Sequence, residues 1–225
     1  MKNKLMTLLG KYSHGMVIVV YMLIYLFWWS VLEQKVTTHY RLIHMAIDDY
    51  IPFVEVFVIP YFLWFAFIPL TVFYFMIKNK SEYYQLVIFL CTGMTIFLVI
   101  STLWPNGHHL RLSVMPRDNV FTAMISSLWS TDTPTNLWPS IHVYNSLGAF
   151  FAIIRAEELK KSKFIHFIAF LLTASITLST VLIKQHSMFD VLTALILGAV
   201  MYVIVYRFEW LTSTKKKKES RLRTS

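Results

Sequence analysis

Charge is scarce in this chain. Only 15% of its 225 residues are Asp, Glu, Lys or Arg, while 56% are hydrophobic. A soluble domain carries about 25% charged residues, so this composition excludes an ordinary soluble globular protein and places the chain in a bilayer. Cysteine is nearly lacking: Cys91 stands alone, which rules out an internal disulfide and leaves the redox compartment unmarked. With 6 glycines and 7 prolines there is no Gly-rich or Pro-rich linker, and no repeat at solenoid spacing, so the chain reads as a single domain. Acidic residues are few, 12 against 21 basic ones, and they form no dense carboxylate cluster of the kind that magnesium-assisted phosphoryl transfer uses.

Long hydrophobic runs are what the chain does have. Gly15 to Leu32, Val56 to Ile77, Tyr83 to Leu103 and Phe164 to Ile183 are uncharged, each near the roughly 20 residues of a spanning helix. Two shorter runs, Ile141 to Ile154 with His142 near its start and Val191 to Tyr206 behind Asp190, span only if those polar residues lie at the boundary. The expected fold class is therefore all-α: an integral membrane six-transmembrane-helix bundle with short interfacial helices on the outer face. The spans are expected at 14–32, 53–77, 83–103, 140–155, 164–183 and 187–207. The first run follows Lys2, Lys4 and Lys11, but it is long, aromatic-rich and without a small-residue cleavage site, which favours a retained anchor over a secretory signal.

The net charge of +9 raises nucleic acid as a partner, and its distribution argues against it. With six spans, Lys2, Lys4, Lys11, Lys78, Lys80, Arg155, Lys160, Lys161, Lys163, Arg207, Lys215 to Lys218, Arg221 and Arg223 fall on one face, 16 of the 21. Only Lys35, Arg41, Arg111, Arg117 and Lys184 fall on the other. The positive-inside rule then puts both termini in the cytoplasm, with 208–225 a basic cytoplasmic tail beside anionic headgroups. Lysine-rich and methionine-rich usage in a small chain points to a bacterial plasma membrane.

The unusual polarity gathers on the outer face. Between the third and fourth spans, Trp104 to Pro139 is too long for a plain connection. Within it "DNVFTAMISSLW" offers Asp118 or Asn119 as a cap, with Val120, Phe121, Met124, Ile125, Leu128 and Trp129 on one stripe. This predicts a short helix lying on the membrane surface or against the bundle. "VTTHYRLIHMAIDDY" is a second, weaker surface piece. "WPSIHV" opens the fourth span, with Pro139 suited to a first turn and Ser140 among the free backbone donors that make helix starts good anion sites. "IKQHSMFDV" opens the sixth, and on a helix His186 and Asp190 share a face, so the carboxylate can hold the imidazole. Asn145, one turn below His142, bridges spans or lines a pocket, with the bridge favoured.

Several readings compete. A lone histidine at a helix start is most often interfacial or structural. Two histidines, a carboxylate and several arginines at one depth are more informative, because ionisable groups in a membrane are costly and mark functional sites. Zinc has possible ligands in His108, His109, His142, His186 and Asp190, but the adjacent pair His108-His109 lacks the spacing that a helix face supplies. Ser140 with His142 lacks the Gly-x-Ser-x-Gly elbow of a serine hydrolase.

Two stretches resemble the type-2 phosphatidic acid phosphatase and haloperoxidase superfamily, with its inositol phosphorylceramide synthase and sphingomyelin synthase-like branches. Pro139 to His142, "PSIH", is similar to that family's Pro-Ser-Gly-His motif with isoleucine for glycine. Ser179 to Asp190, "STVLIKQHSMFD", is similar to Ser-Arg-x5-His-x3-Asp with Thr180 where arginine belongs. The family's first motif, Lys-x6-Arg-Pro, is degenerate: Arg111 precedes Leu112 and has Trp104 at the lysine position, whereas Arg117 follows Pro116 and has Leu110 there.

The resemblance implies phosphoryl transfer through a phosphohistidine on a phosphorylated membrane lipid, with no cofactor and no metal. It makes His186 the nucleophile, Asp190 its orienting carboxylate and His142 the general acid. Arg111, Arg117, Ser140 and Lys184 become the groups that bind the substrate phosphate. Water as acceptor gives a lipid phosphatase and a lipid hydroxyl gives a headgroup phosphotransferase, while a non-catalytic lipid transporter is the rival of another class.

Overall fold

The computed structural model describes residues 12–35 and 39–207, so the expected basic tail and the first three lysines lie outside the described residues. Among the described residues, seven α-helices carry the fold: α1 Met16–Lys35, α2 Val58–Lys78, α3 Lys80–Leu103, α4 Val120–Thr131, α5 Ile141–Arg155, α6 Lys163–Leu182 and α7 Met188–Tyr202. Short 3-10 turns precede α1 and α2, and α7 continues as a wider turn through Val203–Arg207. Two short strands, β1 Arg41–Leu42 and β2 Asn106–Gly107, pair in parallel.

Among the described residues, five segments are long and apolar enough to cross a membrane: Ser13–Lys35, Glu55–Lys78, Lys80–Leu103, Lys163–Leu182 and Met188–Arg207. They mark an integral membrane protein. The remaining one of the six expected spans, α5, has 15 residues, about 22 Å of helix, short of the roughly 30 Å of a hydrocarbon core. It is bounded at one end by the Ser140 cap and at the other by Arg155. Its ends nevertheless reach the levels its neighbours reach. The Ser140 amide donates to the Asp190 carbonyl at the start of α7 (3.3 Å), and Arg155 donates to the Tyr202 hydroxyl at the end of α7 (3.3 Å).

The core forms around α5, which packs against α2, α3, α6 and α7. Its sequence explains the central place: Ser146, Gly148, Ala149 and Ala152 are small, so neighbouring helices come close. At Gly93 of α3 an added Cβ would lie 2.0 Å from the Tyr144 ring, and at Gly148 it would lie 2.6 Å from Phe89. The Tyr144 and Phe89 rings stack at 4.6 Å, and the Tyr144 hydroxyl donates to the Phe89 carbonyl (2.8 Å). Large apolar side chains that remain exposed on α1, α2 and α6, among them Phe27, Leu70 and Phe164, are what lipid would cover. Pro60 falls in the first turn of α2, where its missing N–H is not needed, and Pro69 lies inside that helix.

The bundle has two polar ends. At one, Lys78 pairs with Glu158, and the Glu157 amide donates to Glu82 (3.1 Å). At the other lie β1, β2, α4 and the starts of α5 and α7. Asn119 caps α4 by accepting from the Phe121 and Thr122 amides (2.9 and 3.0 Å). The stripe of α4 turns inward, with Ile125 fully buried against Val58, Tyr61 and Ile183, while Val120 at its start is exposed.

Candidate functional site

The second polar end gathers most of the chemistry. Asn106 shapes the approach to α5: its side-chain oxygen accepts the Leu137 and Trp138 amides (2.9 and 3.0 Å), and its carbonyl accepts the Asn136 amide (2.7 Å). Trp138 is tied to α7 through Thr193 (2.9 Å). This segment delivers Ser140 and His142 beside the start of α7. On the other side, the Thr180 carbonyl ends α6 by accepting both the Gln185 and His186 amides (2.9 Å each). Lys184 adopts φ 56° there, a left-handed conformation disfavoured for residues with a side chain and often met at functional sites.

The two histidines, 44 positions apart in the chain, meet with ring centroids 5.9 Å apart and planes inclined by 60°. Rings with centroids this close can both reach the atoms of one small group placed against their edges. His186 is buried, and its Nδ1 lies 3.3 Å from Asp190 Oδ2. The same oxygen accepts the Ser187 amide (3.0 Å), so Asp190 binds the ring and the first turn of α7 together. Asp190 Oδ1 is buried without a protein partner.

His142 is held differently. Tyr61 and Trp64, three residues apart on α2, pack their rings 4.5 and 4.4 Å from its ring, and Phe65 stands edge-on at 6.3 Å. Both imidazole nitrogens are buried without a partner.

The other expected site residues are dispersed. Ser140 is fully buried, its amide bound to Asp190 and its hydroxyl oxygen 3.5 Å from the Val143 amide. Arg111 reaches toward the histidine segment but is heavily engaged: it donates to the Trp129 and Asp132 carbonyls (3.1 and 2.7 Å) and to Gln185 Oε1 (2.7 Å), leaving Nε buried and unpartnered. Lys184 turns away to the loop between α1 and α2, donating to the Asp48 and Ile51 carbonyls (3.1 and 2.6 Å). Burial lowers its pKa from the ordinary value, against the pull of Asp48 and Asp49. Arg117 is largely exposed and pairs with Glu55 (3.0 Å). Thr180, at the position of the family's missing arginine, bonds back to the Thr177 carbonyl (2.8 Å).

Of the residues weighed for zinc, His108 donates to the Gln185 carbonyl (2.9 Å) and accepts the Leu110 amide (3.2 Å), which accounts for both ring nitrogens. Burial pushes its pKa down to about 4. His109 packs near Tyr40, with centroids 6.0 Å apart.

Residues not singled out from sequence complete the site. Gln185 is a hub, touching Arg111, the Asp132 carboxylate (3.3 Å) and the Tyr61 hydroxyl (3.5 Å). Asp132 is pushed up to about 6 by burial and by Glu33, with Arg111 opposing. Glu33 in turn accepts from Thr133 and Asn136. Tyr61 and Trp64 sat in a run indistinguishable from lipid-facing aromatics. Asp48 is buried in the loop before α2. Its only signal was its place in the polar stretch "VTTHYRLIHMAIDDY", which gave no partner.

Comparison with protein families matches residues 116–213 to the PAP2 superfamily. The matched stretch includes α4 to α7 and both histidines, and over it the chain is similar to the type-2 phosphatidic acid phosphatase superfamily, the family that the two histidine motifs resemble. Members are generally phosphatases or phosphotransferases. Comparison with curated proteins and with solved structures gives no match.

Proposed function

We propose that the chain is a metal-independent lipid phosphatase or phosphotransferase that works through a phosphohistidine at the outer membrane boundary, with both termini cytoplasmic and α5 as a sixth, short span. The observation that carries this reading is the 5.9 Å approach of His142 to His186, with Asp190 behind the latter. With His186 Nδ1–H donating to Asp190, the lone pair is on Nε2. That nitrogen attacks phosphorus, an N–P bond forms, and the P–O bond to the leaving group breaks as protonated His142 donates to the departing oxygen. Neutral His142 then takes a proton from the acceptor hydroxyl. Its oxygen displaces His186 from phosphorus, and Asp190 steadies the imidazolium while it exists. One ring must start neutral and the other charged, which gives a bell-shaped pH profile.

The engagement of the cations favours a second reading within the same chemistry. Arg111, Arg117 and Lys184 are all paired within the protein, so little free positive charge faces the histidines. A phosphodiester carries less charge to neutralise than a monoester, which favours a headgroup phosphotransferase.

The test is turnover of phosphatidate, an isoprenyl diphosphate and phosphodiester lipids by purified protein in the presence of chelator. The proposal expects release or transfer of the phosphoryl group from one of them and its loss in His186→Ala. Lipid movement across the bilayer with no covalent turnover, unchanged by His186→Ala, is the result of a transporter, and activity abolished by chelator is the result of a metal enzyme.

A further inference from the structure

We propose that Asp48, in the loop between α1 and α2, is a positioning residue for His186 and Asp190. This rests on the phosphohistidine reading for its kinetic consequence, though not for its geometry. Asp48 is 1% exposed, and a buried carboxylate is costly unless its oxygens are satisfied. Oδ1 accepts the Met188 amide (2.7 Å), and Oδ2 accepts the Ser187 hydroxyl (2.6 Å) and the Met45 amide of its own loop (2.8 Å). Its backbone carbonyl accepts Lys184 Nζ (3.1 Å), which also holds the Ile51 carbonyl (2.6 Å). The loop is further fixed by the Val54 amide on the Leu182 carbonyl (3.0 Å).

These bonds converge on the turn that presents His186. The first amides of α7 are divided among three acceptors: Ser187 N–H goes to Asp190, Met188 N–H to Asp48, and Phe189 N–H to Ser187 Oγ (3.2 Å). A helix start carries free donors and partial positive charge, and an anion from another segment satisfies both. Asp48 therefore sets where the first turn of α7 lies. Asp190 Oδ2 is shared between that turn and the imidazole, so a displaced turn moves the carboxylate relative to Nδ1. Lys184, expected from sequence to bind substrate phosphate, fastens this clamp from the other side.

The experiment uses the full chain in lipid nanodiscs, with Asp48→Ala, Asp48→Asn, Ser187→Ala and, as control, Asp49→Asn, whose carboxylate binds His44 at the surface (2.8 Å). A misplacement near 1 Å can cost on the order of 10²-fold in rate. Asp48→Ala is expected to lower kcat by that order with KM unchanged and to shift one limb of the pH profile. Asp48→Asn, which keeps an acceptor for Met188 N–H, is expected to recover much of the rate, and Ser187→Ala to fall between. Modification of His186 by diethyl pyrocarbonate, followed by mass spectrometry of its peptide, reads ring presentation without any substrate and is expected to change in Asp48→Ala but not in Asp49→Asn. If wild type turns over no phosphorylated lipid, the functional reading falls while the modification rates still decide the positioning role. If Asp48→Ala does not fold, Asp48→Asn and Ser187→Ala carry the comparison. A lowered melting temperature with wild-type kcat, pH profile and His186 modification would make Asp48 a stabilising cap and overturn the proposal.

Discussion

His186 and His142 face each other across 5.9 Å and are held in opposite ways. Around His186 the polar groups are tied down: Nδ1 to Asp190, Asp190 to Ser187, Ser187 to Asp48, and the neighbouring Gln185 to Arg111 and Asp132. Around His142 there is aromatic surface, and neither ring nitrogen has a partner. The contrast fits the two tasks proposed for these rings. A nucleophile needs its lone pair aimed, which hydrogen bonds do. A group that gives up a proton and takes it back needs ring nitrogens left free to meet the reacting oxygens.

The largest expected effect breaks the tethered side. His186→Ala should reduce lipid turnover by 10⁴-fold or more, the scale seen when a covalent nucleophile is removed, and Asp190→Asn should follow at roughly 10³-fold, because the ring loses its tautomer and orientation. Next comes the untethered side. His142→Gln should lower kcat by about 10² to 10⁴-fold and remove one limb of the pH profile, with the smallest loss for substrates whose leaving group has a low pKa. A milder change sharpens the contrast: Trp64→Leu keeps an apolar side chain but withdraws the indole that packs 4.4 Å from His142, and should lower kcat about fivefold, in line with an aromatic-pair contribution of about 1 kcal/mol. Equal sensitivity of Asp190→Asn and Trp64→Leu would mean the two rings do not have separate roles.

The smallest effect is on stability and concerns the network behind the rings. His108, lowered to about 4 from 6.5, stabilises the fold fully above pH 6.5 and loses that contribution as pH falls toward 4, because the unfolded chain binds the proton more readily. Asp132, raised to about 6 from 3.8, runs the other way: its contribution is present at low pH and lost as pH rises through 6. The two oppose each other between pH 4 and 6, each on the order of 2 kcal/mol. In melting curves across that range, His108→Gln should expose a fall in stability with rising pH and Asp132→Asn a rise. Parallel profiles for both variants would remove the pair as opposing titrants.

The histidine pair was legible because its motifs are local: "PSIH" and "HSMFD" each place their key residues within one or two helical turns, where spacing alone predicts a shared face. The long apolar runs were legible for the same reason. What spacing could not supply was the partner of each cation. Arg111, Arg117 and Lys184 read as free positive charge in the sequence, yet their partners Gln185, Glu55 and the Asp48 and Ile51 carbonyls come from distant segments. Asp48 itself was hidden because a carboxylate in a polar loop carries no periodicity. Tyr61 and Trp64 were hidden because an aromatic helix face toward lipid and one toward a histidine have the same composition. Helix α5 shows a further limit: hydropathy marks a span by length, whereas this helix is short, rich in small residues and central because other helices surround it.

The measurement that meets the central claim most directly is isolation of the phosphorylated protein after rapid acid-free quenching of turnover, with the modified residue located by mass spectrometry. The account predicts an acid-labile phosphate on His186 Nε2, absent from His186→Ala and still formed, more slowly, in His142→Gln. Full turnover by His186→Ala, or phosphate found on any other residue, would contradict it.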